Sequence, residues 1–516
     1  MPPSKLPNQA SGVDAPNVDA PNVEGPIDDS RALPGHQHAP SAQFQLLSPL
    51  EPVTPHQSNQ QILERLSIDA PALHEIASRQ DLDQQTRKNL HRFLASAFTS
   101  SQRYAAVLRH QKEVTRALPL FEASNYLTEI LVCNPEEIAT LAETEEVRPR
   151  LGRGHLFDTA AVEQSLGIAP AALDPAFAYL TDSGASYDEK LALLREHFRH
   201  RAFAVGARDI IELRDVYASF SGITAAAEDA IATALSIAGA PEGLAVLAVG
   251  RLGNGEFDFL SDADVFFVCA EEGDRIALTS CAEKMMHALS AHTQEGIVFQ
   301  VDAHLRPRGG QGELLITPTQ LAAYFEHEAQ AWDALTYTKL RLVAGSSVLG
   351  ERALAGLRTL FGRFAEDPGF TSAVRGIRTK LEAAEGAESS FKFSPGAIYD
   401  IDFITSYLMV KHDVSNKQGN LRDRLWRCAA AGLLGKSEAA TLDHAAELLR
   451  TVEHFSRLAV GRAGEWLPAT EHGRKMTEEL TAKVLGREFP DGLENELART
   501  SAMVRNIYNR IFEAQA

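Results

Sequence analysis

Two aspartates at alternate positions, Asp262 and Asp264, open the apolar run DADVFFV, and a glycine-rich turn, GRLGNG, lies just before them in LAVLAVGRLGNGEFDFLSDADVFFV. Residues two apart on a strand project from the same face, so two carboxylates there can hold a hard cation between them. A third carboxylate, Asp302, stands near the end of another apolar run, IVFQVDAHLRPR, followed by Arg306 and Arg308. Three carboxylates on neighbouring strands would hold two Mg²⁺ ions about 3.5–4 Å apart, the separation that stabilises both the attacking and the leaving oxygen of an in-line phosphoryl displacement. Gly250, Gly253 and Gly255 remove Cβ atoms where backbone amides would approach phosphate, while Arg251 supplies a cation and Ser261 a hydroxyl. Each feature also has a plain structural reading: a tight hairpin that needs glycine for its backbone, and a surface pair between Asp302 and Arg306. Their sum favours catalysis.

These residues need a rigid platform, and the hydrophobic pattern predicts one. LAVLAVG, VFFV, IVFQVDAHL and ELLIT are short apolar runs bounded by turn residues, the pattern of a small, largely buried sheet, with CAEKMMHALSAH long enough for a crossover helix. Residues 59–240 have a helical texture, with Leu191, Leu194 and Phe198 at helical spacing. After the sheet, AAYFEHEAQAWDALTYTKLRLVAG reads as a return to helix ending in a glycine, and the Pro-Gly of AEDPGF marks a boundary. Beyond it Leu442, Ala445, Leu448, Val452 and Phe455 form one stripe, and Leu493, Leu497, Val504, Ile507 and Ile511 another.

The expected fold is α+β and mostly helical. A leader spans residues 1–58, a helical region 59–240, a core with a small mixed sheet 241–364, and a C-terminal helical bundle 365–516. The leader is rich in proline, asparagine, glutamine and alanine and cannot bury enough apolar surface to offset its ordering entropy.

A chain of 516 residues with 44% apolar content is expected to build two to four domains. Its formal net charge of −19 argues against a sequence-independent grip on nucleic acid, which depends on lysine and arginine displacing counterions. Four cysteines, far apart in sequence, fit reduced thiols rather than a zinc site or a disulfide framework. With no secretory pattern and no apolar run long enough to span a membrane, the expected location is cytoplasmic.

The core resembles the DNA polymerase beta-like nucleotidyltransferases, and more closely the glutamine synthetase adenylyltransferase family. That family's pattern G-x-G-K-L-G-G-x-E-L-x-x-x-S-D-x-D-L reads here AVGRLGNGEFDFLSDADV. The likeness extends through VDAHLRPRGGQGELL, EAQAWDALTYTKLRLVAG and KFSPGAIYDIDFITSYLMVKH, and spans about residues 100 to 516. Bifunctional members carry two such modules, one attaching AMP to a tyrosine of glutamine synthetase and one removing it by phosphorolysis; a single S-D-x-D block is found here, as in a single-module member. A related uridylyltransferase would carry a histidine-aspartate hydrolase domain, of which His412-Asp413 is the sole trace. The chain departs from the pattern at Arg251 for a lysine, Asn254 for a glycine, His304 for an arginine, Ser394 and Ala397 for glycines, and Asp402 for a glutamate. All three aspartates are spared.

The resemblance implies Mg²⁺-dependent chemistry on ATP, with Asp262 and Asp264 holding two ions and Asp302 sharing one while helping to deprotonate a tyrosine hydroxyl. It implies that Gly250, Arg251, Gly253, Ser261 and Arg306 lie about the nucleotide, with Lys339 and Arg341 as a further basic pair. Glutamine synthetase is the implied protein substrate and a PII-type signalling protein a candidate regulator. Two other readings carry different consequences: the same module run in reverse, and a nucleotide-binding regulatory module without turnover.

Overall fold

The computed structural model describes residues 59–142, 150–151, 155–156, 184–239, 241–383, 390–414, 419–464 and 466–513. The leader expected at 1–58 lies outside the described residues. The rest is mostly helical around a small mixed sheet, as the pattern of apolar runs predicts. No helix among the described residues is long and apolar enough to cross a membrane, and all four cysteines are free thiols.

Two two-residue strands, β1 (Arg150–Leu151) and β2 (His155–Leu156), pair antiparallel within the stretch expected to be helical. Elements so short leave no period to detect. The main sheet contains β3 (Leu244–Ala248), β4 (Ala263–Cys269), β5 (Val301–Asp302), β6 (Leu315–Ile316) and β7 (Arg341–Gly345), in the order β5-β4-β3-β7 with β6 also beside β4. β3 runs antiparallel to β4 and β7, whereas β5 and β6 run parallel to β4. The helix Arg275–Ser290 occupies the predicted crossover between β4 and β5.

β7 corrects one expectation. The segment read as helix through LRLVAG stops being helical at Thr336, passes through a 3₁₀ turn at Tyr337–Lys339, and becomes the strand that pairs with β3. Its apolar run was too short for periodicity to separate strand from helix end; pairing to a strand almost a hundred residues upstream decides it.

Alternation along β3 and β4 divides the interior in two. Leu244, Val246, Ala248, Ala263, Val265, Phe267 and Cys269 face a core shared with the N-terminal helices, including Phe203, Ile223 and Ile231, and with Phe455 and Leu458 from the C-terminal part. Ala245, Leu247, Val249, Phe266 and Val268 face the other core, which holds Trp332, Tyr337, Phe403 and Tyr407. The sheet is therefore buried on both faces, and its strands read as near-continuous apolar runs for that reason. The long helices around it begin on side-chain caps: Ser186 with Glu189 for Tyr187–Ile211, Asp215 for Val216–Ile237, and Asn420 with Asp423 for Leu421–Ala430.

The turn between β3 and β4 is packed against β7, and its glycines differ in what they allow. A Cβ on Gly253 would run into the carbonyl oxygens of Lys339 and Ala248, whereas Gly255, at φ +69°, faces open space. Gly253→Ala is expected to cost about 2–4 kcal/mol because backbone must move. Gly255→Ala should cost about 1–2 kcal/mol, for its left-handed conformation alone. Denaturant midpoints of the two variants measure the difference, and equal losses would contradict this account of the turn.

Candidate active site

Strand register brings the predicted aspartates to one edge. In the parallel pair β4–β5, Ala263 lies opposite Val301 and Asp264 opposite Asp302, so those two carboxylates leave the same face on adjacent strands. Asp262, the residue before β4, shares that face by period. It is the face that further along holds Phe266 and Val268, but at this end it opens: Asp262 is exposed, and Asp264 and Asp302 are half-buried.

The glycine turn meets this edge. Gly250 has φ +58°, and a Cβ on it would overlap the Asp264 carboxylate. Both the left-handed backbone and the close approach demand glycine. Asp302 is turned onto its own loop, where Oδ1 accepts hydrogen bonds from the His304 backbone N–H at 2.6 Å and from His304 Nδ1 at 2.5 Å. Among the described residues, no three histidine, cysteine, aspartate or glutamate side chains gather into a ready metal cluster. The donor set at this edge is nevertheless all carboxylate oxygen, the chemistry a magnesium ion takes.

The basic residues expected around the nucleotide are engaged by other groups of the protein. Arg251 is directed away from the turn: it pairs with Glu453 at 2.8 Å and Asp258 at 3.3 Å, donates to the Glu256 carbonyl at 3.0 Å, and lies over the Phe220 ring. Arg306 ties its own loop together through the carbonyls of Ala303, Gly310 and Gly312. Arg341 donates to the carbonyls of Leu252 and Gly253 and pairs with Glu228, so it fastens the turn from beneath. Lys339 Nζ donates to Asp402 Oδ2 at 2.6 Å; burial, the largest influence on Lys339, lowers its pKa against the pull of Asp402. Ser261 is buried, with its Oγ accepting from Arg457 Nη1 at 2.7 Å.

Arg251 and Arg457 serve a buried ionic network that the motif spacing does not reveal. Glu256 and Asp258, both inside the β3–β4 connection, are fully enclosed. Glu256 pairs with Arg450 at 3.1 Å and accepts the Leu421 backbone N–H at 2.7 Å. Asp258 faces His454 Nδ1 at 2.8 Å, and His454 Nε2 lies 3.3 Å from Asp209 on the Tyr187–Ile211 helix. Burial works to raise the Asp258 pKa, but His454, Arg251 and Arg457 together hold it below the ordinary value. Arg450, Glu453, His454 and Arg457 all come from the Lys436–Val460 helix. For Glu256 and Asp258 the sequence does carry a signal: they repeat the alternate-acid spacing within EFDFL, whose phenylalanines are buried as well.

The glycine turn thus stands against carboxylates on adjacent parallel strands. Residues 114–356 match the family model described as glutamate-ammonia ligase adenylyltransferase. A second model, described as GlnD PII-uridylyltransferase, matches residues 377–512, the C-terminal helices rather than the sheet. Similar curated proteins are each named bifunctional glutamine synthetase adenylyltransferase/adenylyl-removing enzyme. They include those of Streptomyces avermitilis, 32% identical over 62% of this chain and 34% of that protein, and of Cutibacterium acnes, 28% identical over 80% of this chain and 43% of that protein. The protein of Hahella chejuensis is 29% identical over 56% of this chain and 33% of its own length. The chain thus spans well under half the length of these relatives.

The network has a pH signature. Burial works to lower the His454 pKa, but Asp258 and Asp209 overcome it and hold the imidazolium up to about 9, from an ordinary 6.5. A folded pKa above the unfolded one means the stabilisation is complete below about pH 6.5 and is lost as pH rises through about 9. We expect wild-type stability to fall by an amount on the order of 3 kcal/mol across that window. His454→Gln should be less stable at pH 6 and show a flatter profile, as read by urea midpoints between pH 6 and 9.5. A profile unchanged by the substitution would show that the slope comes from elsewhere.

Proposed function

We propose that this chain is a magnesium-dependent adenylyltransferase that moves AMP from ATP to a tyrosine of a protein acceptor, glutamine synthetase, and so regulates nitrogen assimilation. The observation that carries the reading is the register of β4 on β5, which sets Asp264 opposite Asp302 beside the Gly250 turn, within the residues that match the adenylyltransferase family model. The names of the relatives support the acceptor. The match of residues 377–512 supports a PII-type protein as a regulator, and a cytoplasmic location suits both partners.

Asp262, Asp264 and Asp302 would hold two Mg²⁺ ions, whose chemistry when bound is to neutralise phosphate charge at the attacking and leaving oxygens. The amides of the glycine turn would orient the triphosphate. Asp302 would take the proton of the incoming tyrosine hydroxyl; its oxygen then forms a bond to the α-phosphorus as the bond to the β-phosphate oxygen breaks, releasing pyrophosphate. Positioning and charge complementarity supply most of the rate in such reactions.

The relatives' names also include removal of AMP, so the reverse direction, with phosphate as the acceptor and ADP as the product, is the second reading. Incubation with glutamine synthetase and Mg²⁺-ATP, followed by mass spectrometry, should find one AMP group on a tyrosine. Adenylylated acceptor plus phosphate tests the reverse arm, and ADP formation there without forward transfer would reassign the direction. Asp264→Asn should lower turnover about a thousandfold with the fold intact. An unaffected rate would remove the aspartates from the mechanism.

A further inference from the structure

The departures from the motif at Asn254 and Asp402 meet at one buried side chain. Asn254 closes the short helix Gly250–Gly253 with φ −77° and ψ −6°, angles any residue adopts, so the backbone does not select its side chain. It is buried all the same, and its Oδ1 accepts a hydrogen bond from Arg424 Nη1 at 3.0 Å. The same nitrogen donates to Asp402 Oδ1 at 3.2 Å. Arg424 Nη2 donates to Thr338 Oγ1 at 2.8 Å and Ser406 Oγ at 2.7 Å, so its two terminal nitrogens each meet two acceptors. The other oxygen of Asp402 takes Lys339 Nζ, and the Lys339 carbonyl in turn packs against Gly253. The turn is thus gripped twice from the same centre, through the Asn254 side chain and through the backbone ahead of β7.

We infer that Asn254 and Asp402 are a matched pair of acceptors for one Arg424 nitrogen, and that through it they act as positioning residues setting the posture of the Gly250–Gly255 turn for the nucleotide phosphates. The inference rests on the function proposed above. A glycine at 254 beside an aspartate at 402 leaves a buried N–H short of an acceptor, which is the costly half of removing a hydrogen bond. A glutamate at 402 beside Asn254 forces one extra methylene into a filled space. Glycine and glutamate together restore the balance, because the longer acid extends into the volume the amide vacates. The two positions are exchangeable together and not singly.

The test uses the full chain as Asn254→Gly, Asp402→Glu, the double variant, and Asn254→Asp, which keeps the acceptor. Amide hydrogen exchange of the peptide containing residues 250–256 reads the turn, and calorimetry with Mg²⁺-ATP reads the site. Each of the first two single variants is expected to speed exchange in that peptide and weaken nucleotide binding roughly tenfold. The double variant should return both to within about twofold of wild type, and Asn254→Asp should leave exchange unchanged. Losses that simply add in the double variant, or fast exchange in Asn254→Asp, would overturn the pairing. Wild-type protein that binds no Mg²⁺-ATP would instead sink the proposed function, while the exchange data still decide whether the pair holds the turn.

Discussion

Burial of Asp258 is the constraint around which the molecule is assembled. A carboxylate with no solvent access is tolerated only when opposite charges surround it, and leaving one unpaired costs about 3–5 kcal/mol. Asp258 meets His454, with Arg251 and Arg457 close by, and His454 reaches on to Asp209. Those partners come from the turn itself, from a helix two hundred residues further along, and from a helix that precedes the sheet. The shape of the β3–β4 connection is therefore held by helices that precede and follow it in the sequence. The site is a product of the whole fold rather than of a local loop.

The same network fixes where the carboxylate edge begins. Arg457 donates to the Phe259 carbonyl and to Ser261 Oγ at 2.8 and 2.7 Å, fixing the chain just before Asp262. From Ala263 the ladder with β5 takes over and sets Asp264 across from Asp302. β5 and β6 are only two residues long, so sheet hydrogen bonds alone give little rigidity there. Side-chain clamps on the connection supply what short strands cannot.

What was legible in the sequence follows from the range over which each signal acts. The three aspartates, the glycine turn and four of the five main-sheet strands depend on local period and composition, and the strands appear where apolar runs end in turn residues. The stripe through Leu442, Ala445, Leu448, Val452 and Phe455 was legible for the same reason, and all five are buried. Arg450, Glu453 and His454 on that helix are also buried, although charge on a helix ordinarily marks a solvated face. Their partners lie on segments far away in sequence, so no local rule separates them from surface charge. The roles of Arg251 and Arg341 were hidden in the same way. Each stands where a phosphate-facing cation would be expected, but Glu453 and Glu228 lie on other helices and draw them inward.

That inward commitment bears on how a triphosphate would be held in the proposed reaction. Arg251, Arg306, Lys339 and Arg341 each satisfy a carbonyl or a carboxylate of the protein. Withdrawing Arg251 or Lys339 to bind phosphate would weaken the pairing of a buried carboxylate, a cost that offsets the stabilisation that binding the phosphate would bring. Phosphate charge is better met by groups that give up nothing in the fold. Cations carried to the carboxylate edge with the nucleotide would be such groups, whereas the Gly253, Asn254 and Gly255 amides already donate to the carbonyls of Val249, Gly250 and Leu252. In the proposed reaction the arginines of the motif would act on the phosphates at one remove, by keeping the turn and the first residues of β4 in place, and the phosphate charge would fall to a divalent ion at the carboxylate edge.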